Sequence, residues 1–114
     1  LSLKLIKATR LIEEFRKLDS EMQAQTMLAF LFIAQRSDQG APATVKEVGE
    51  YLGITSASAS RNVAVLGKWS RHNKAGHDLV VSYENPERRI EKFIELTPQG
   101  KRVAKSIEGF FDVS

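Results

Sequence analysis

The sequence has no cysteine, so neither disulfides nor thiolate metal sites can enter its stability or chemistry. Histidine is nearly as scarce: His72 and His77 stand alone, and even with Asp78 they supply too few ligands for a metal site. No apolar run is long. Met27 to Ala34 is eight residues, against the roughly 20 that a membrane-spanning helix needs. No cleavable signal pattern is visible, and the expected location is cytoplasmic, without membrane attachment. No glycine-rich phosphate loop follows a strand, and no Ser or Cys sits in a recognisable nucleophile setting. The expectation is therefore a non-enzyme with no catalytic residues, cofactor or metal. Acidic residues are missing from one place in particular: none occurs between Thr55 and His77.

That gap is where charge matters. The net charge of +3 is modest, and up to Ala57 seven bases are matched by seven acids. The second half carries the whole excess. Within the acid-free stretch stand Arg61, Lys68, Arg71 and Lys74, the pattern expected of a surface that faces phosphates.

At 114 residues and 42% hydrophobic content the chain fits one domain with a single core. Residues 1–36 read as two helices. In the first, Leu1, Leu5, Ala8, Leu11, Ile12, Phe15 and Leu18 form a stripe at helical spacing. Leu3 and Ile6 lie off that stripe, leaving two readings: a contact with a partner chain, or isolated exposed side chains. Asp19 or Ser20 is the expected cap of the second helix, with Gln23 completing a capping box. The second helix is apolar all round at its centre, as a helix buried on most sides would be, and it gives way to a loop at Ser37 to Pro42.

Residues 44–68 carry the pattern of a helix-turn-helix. Thr44 and Glu47 form a capping box, and Val45, Val48 and Leu52 share an inward face. Gly49 precedes Gly53 by four residues; the first allows close helix crossing and the second a left-handed turn. Thr55 or Ser56 caps the next helix, whose inward edge is Ala59, Val63 and Leu66. Ser56, Ser58, Arg61, Asn62 and Val65 then face outward or sideways, with Ser60 and Lys68 on the flanks. Surface helices favour Glu, Lys and Gln. Short hydroxyls with one Arg and one Asn instead suit phosphate contact, close backbone approach and the edges of guanine and adenine. Residues 79–96 then read as a hairpin with Arg88 and Arg89 near its tip. Residues 98–111 form a last helix, opened by Thr97 and Pro98, with Val103, Ala104, Ile107, Phe110 and Phe111 as its stripe. The fold class is mainly α (α+β), in the order α-α-α-α-β-β-α with a two-stranded wing.

The runs I-T-S-A-S-A-S-R-N-V-A-V-L-G, N-P-E-R-R and I-E-L-T-P-Q-G-K resemble the MarR (multiple antibiotic resistance regulator) family of winged helix-turn-helix proteins, especially short variants in phage and prophage genomes. The resemblance spans about Thr44 to Ala104. It implies that Ser60 and Arg61 read the major groove and that Arg88 and Arg89 enter the minor groove. Leu96, Thr97 and Gly100 match the Leu-Thr-x-x-Gly joining wing to last helix. It also implies a homodimer, with Leu3, Ile6, Phe110 and Phe111 as candidate contacts, and a small-molecule effector whose identity no residue indicates. The sequence departs from the pattern at Asn62, where an aliphatic residue is usual, at Glu87 for the wing Asp, and in a longer basic loop from Trp69 to Asp78. The long C-terminal dimerisation helices typical of the family are curtailed.

The expected function is a sequence-specific, double-stranded DNA-binding transcriptional repressor of a bacterium or its phage. Its expected contacts are Ser56, Ser58, Ser60, Arg61, Asn62, Lys68, Arg71, Lys74, Arg88 and Arg89. The alternative is a winged-helix module that binds a protein of the transcription or replication machinery.

Overall fold

The computed structural model describes residues 2–68, 75–88 and 90–112. Helix α1 (Leu3–Leu18) starts at Ser2, whose hydroxyl accepts from the Lys4 amide. Only the C-terminal part of the expected stripe is used. Phe15 is fully buried and Leu11 and Leu18 pack against the core, but Leu5 is 64% exposed and Ile12 46%. The reason is placement: α1 packs chiefly on the last helix, and the core reaches it only near Phe15. Phe15 meets Phe30 edge to face, with centroids 5.7 Å apart, a contact worth about 1 kcal/mol beyond the area it buries.

Helix α2 (Ala24–Asp38) is the hub, burying Thr26, Met27, Ala29, Phe30 and Ile33. Its start differs from the expected one. Gln23 is the N-cap and makes no side-chain cap bond, while Asp19 closes α1 and accepts from the Glu21 amide through Oδ1. Met22 is buried between them, so residues 19–23 are spent on a packed turn and neither Asp19 nor Ser20 can cap. The helix also runs through Ser37 and Asp38, two residues past the expected loop start.

A two-residue strand, β1 (Ala43–Thr44), leads into α3 (Val45–Leu52). The capping box forms as expected: Thr44 accepts from the Glu47 amide and Glu47 accepts from that of Thr44. Glu47 also pairs with Arg36 of α2 at 2.7 Å. This hydrogen bond from Arg36 holds the Glu47 carboxyl below its ordinary pKa, despite some opposing desolvation. Gly53 ends α3 in the left-handed region at φ 69°. Helix α4 (Ser56–Leu66) follows, capped by the Thr55 hydroxyl on the Ser58 amide. At the crossing, a Cβ on Gly49 would sit 3.3 Å from that of Ala59, so the pair of small residues sets how closely α3 and α4 approach.

Strands β2 (Val80–Glu84) and β3 (Lys92–Leu96) form the wing, in register from Val80 opposite Leu96 to Glu84 opposite Lys92. The β1 pair, Ala43 opposite Ile94 and Thr44 opposite Phe93, makes an antiparallel sheet of order β1-β3-β2. Strand β1 is too short to show alternation in sequence. It ties the root of the wing to α3. Helix α5 (Pro98–Phe111) begins at the Thr97 cap and buries Val103 and Ile107; Phe110 packs partly, but Phe111 is 47% exposed rather than in the core stripe. No described helix is long and apolar enough to cross a membrane.

Candidate nucleic-acid interface

Helix α4 turns Ala59, Asn62, Val63 and Leu66 inward. The opposite edge is therefore Ala57, Arg61 and Ala64, at i, i+4 and i+7. Arg61, Ser56 and Ser60 are exposed and Ser58 is half-buried. The Arg61 guanidinium donates to Ser58 Oγ at 2.9 Å, which holds it folded along the helix face. The sequence pattern did not single out Ala57 and Ala64. Opposition to the buried positions would have found them, and their small size is what lets this edge approach another surface closely.

Asn62 requires a correction. It is 7% exposed, and both ends of its amide are engaged. The Thr26 hydroxyl donates to its Oδ1 at 2.7 Å, and its Nδ2 donates to the Ser58 carbonyl at 2.9 Å. Asn62 thus faces α2, not outward. A polar residue one step inside the helix edge reads the same as one outside it, because helical spacing alone cannot anticipate the Thr26 hydroxyl that receives it.

Two grooves flank α4. One, of about 440 Å³, runs along the α1–α2 turn and is lined by Asp19, Glu21 and Gln23 facing Ser58, Arg61 and Val65. The other, of about 480 Å³, lies between α4 and the wing, where Ser60 and Lys68 face Ser82 and Lys92. Lys68 stands beyond the helix end, since Gly67 is the C-cap.

The connection from α4 to the wing is tightly bonded. The amides of Gly76, His77, Asp78 and Leu79 donate to the carbonyls of Lys68, Val65, Gly67 and Leu66. Asp78 takes a positive φ of 54° to achieve this. On the far side, the Thr97 hydroxyl donates to the Asp78 carbonyl at 2.6 Å. A Cβ on Gly100 would collide with the Leu79 carbonyl. The Leu-Thr-x-x-Gly sequence therefore has a local physical role, in which Thr97 caps α5 while clamping residue 78 and Gly100 leaves room for residue 79. His77 further approaches Asp19 of the α1–α2 turn at 3.7 Å.

Beyond its root the wing buries little. Val81 and Tyr83 are exposed, Arg88 keeps 75% of its side chain in solvent beside Glu91 at 3.6 Å, and Ile90 at the tip is 98% exposed. The alternation in sequence suggests a strand at Ile90, but the residue lies in the turn. Three expected contacts, Arg71, Lys74 and Arg89, lie outside the described residues, as does Trp69. Among the described residues no group of three or more His, Cys, Asp or Glu could hold a metal ion.

A helix-turn-helix followed by a hairpin wing, with an N-terminal helix packed on the C-terminal one, is a winged helix-turn-helix fold. Solved structures share this fold. The chain aligns over 96% of its length with 76% of Staphylococcus aureus MepR in its DNA complex, at 17% identity and a TM-score of 0.67. MepR in another crystal structure, described as a transcription regulator of the multidrug efflux pump MepA, aligns at 17% identity and a TM-score of 0.63, over 96% of this chain and 73% of that one. A MarR-like transcriptional regulator from Thermotoga maritima aligns at 24% identity and a TM-score of 0.62, over 97% and 75%. No protein-family model matches the chain, and no curated protein sequence matches it.

Proposed function

We propose that the protein is a sequence-specific regulator of transcription, a repressor, that binds duplex DNA as a homodimer in the bacterial cytoplasm. The observation that carries this reading is the outer edge of α4. On a fold shared with a DNA-bound regulator, Ala57, Arg61 and Ala64 form a narrow edge with one long donor at its centre. That edge fits the major groove, where Arg61 takes guanine and the alanine methyls lie against thymine methyls. Asp19 and Glu21 line the groove on Arg61's side, so that side repels phosphate and favours a base-reading role for the guanidinium.

Ser56 and Ser60 take phosphate oxygens. Ser58 contributes by holding Arg61. Asn62 contributes by fixing α4 on α2 and is not a reader. Arg88 enters the minor groove at the wing tip, where Ile90 packs against the sugar edges. Arg71, Lys74 and Arg89, which lie outside the described residues, stay as proposed DNA contacts on the strength of their charge.

Selection of duplexes from a random pool, with salt titration and sizing of the complex, tests the reading. The expected result is a palindromic motif bound by two chains, with affinity falling steeply as salt rises. Absence of any enriched duplex would overturn it and favour a winged-helix module for a protein partner.

A further inference from the structure

The two grooves beside α4 differ in charge, and the difference says where a DNA strand runs. If α4 occupies the major groove and the wing the adjacent minor groove, the phosphodiester strand that separates those grooves must pass between α4 and the wing. The groove there has Ser60 and Lys68 on the α4 side and Ser82 and Lys92 on the wing. The groove on the other side of α4 carries Asp19 and Glu21.

We propose that the α4–wing groove is a phosphate seat, in which Lys92 and Ser82 of the wing hold the same DNA strand that Lys68 and Ser60 hold from the helix side. This rests on the DNA-binding reading above and extends it to wing-strand residues. Lys92 is exposed at the end of β3 and lies opposite Glu84 in the ladder. Among the described residues neither Lys68 nor Lys92 has a carboxylate within ion-pair distance. Both ammonium groups are therefore available to an external anion. The hydroxyls of Ser60 and Ser82 add donors between them without adding bulk.

Asp78 is the acid of this groove. Its backbone is committed on both sides, to Gly67 and to Thr97, so its carboxylate cannot swing away with the segment. It opposes the strand at the inner end of the seat and limits how deeply a phosphate settles.

The test compares the full chain with Lys92→Ala, Asp78→Asn and a control, Lys105→Ala on α5, on the selected duplex. Asparagine tolerates the positive φ at residue 78. Lys92→Ala is expected to weaken binding roughly three- to tenfold on every duplex alike and to reduce the salt slope by about one unit. Asp78→Asn is expected to tighten binding on every duplex, and Lys105→Ala to change neither affinity nor slope. Wild-type binding with Lys92→Ala unchanged in affinity and slope would overturn the seat while leaving the DNA-binding reading intact. Failure of the wild-type chain to bind any duplex would overturn both.

Discussion

Asn62 shows how one hydrogen bond changes the role of a side chain. Its Oδ1 satisfies the Thr26 hydroxyl inside the α2–α4 contact, and its Nδ2 satisfies a helix carbonyl. Asn62→Ala should destabilise the fold by about 1 to 3 kcal/mol, because it strands a buried hydroxyl. Pairing Asn62→Leu with Thr26→Val should recover most of that loss, since both polar partners leave together. Denaturant melts decide it, and a loss as large in the double variant as in Asn62→Ala would disprove the pairing. Arg61 sits one residue earlier with the opposite expectation. If Arg61 reads a base as proposed, Arg61→Ala should leave stability unchanged, weaken DNA binding by about 1 to 3 kcal/mol and relax preference at one base pair; equal weakening on all sequences would remove the proposed reading role. Sequence made Arg61 and Asn62 look alike, as adjacent polar residues on a mostly hydroxyl-bearing face. Burial by a residue 36 positions away is what separates them.

At the scale of elements, the joints were more legible than the faces. Capping boxes and turn glycines act within a few residues, so Thr44, Glu47, Gly53, Thr97 and Pro98 announced α3, the turn and α5 from local chemistry alone. Which turns of α1 reach the core depends on where α5 lies, and that is a long-range fact invisible in spacing. The α2 start misled for a related reason: Asp19 had a competing use in the packed turn. The Arg36–Glu47 pair joins α2 to α3 and should make their packing acid-sensitive. Because the folded pKa of Glu47 is lowered, its contribution is present above the unfolded carboxylate pKa and disappears as pH falls through the folded value. Glu47→Gln should therefore lower Tm at neutral pH, with the gap to wild type closing in acid below the ordinary glutamate range. A gap independent of pH would mean the pair adds nothing. At the α5 joint, Gly100→Ala should cost about 1 to 3 kcal/mol through its clash with the Leu79 carbonyl, readable as a drop in the denaturant midpoint.

At the scale of the whole molecule, the principal extents of 49 × 30 × 27 Å describe an elongated body. Leu3, Leu5 and Ile6 are exposed on the first turns of α1, and Phe111 is exposed on α5, against which α1 packs. The proposed homodimer gives these side chains a place to go. Leu3→Glu with Ile6→Glu should yield a folded monomer by light scattering that binds one half-site and loses the advantage of a palindrome. An unchanged dimer would place the interface elsewhere.

The four amide hydrogen bonds that lash residues 76–79 to the end of α4, with Thr97 and Gly100 behind them, make the helix and the wing one piece. Under the proposed DNA-binding reading, such a piece measures DNA as a calliper does, with a fixed gap between its jaws. It cannot open or close to follow a spacer that is a base pair too long, so tolerance must come from the DNA or from the hinge between two copies. Binding should then oscillate with half-site separation at the period of about 10 base pairs set by the double helix, with no intermediate spacing rescued by bending within a single copy.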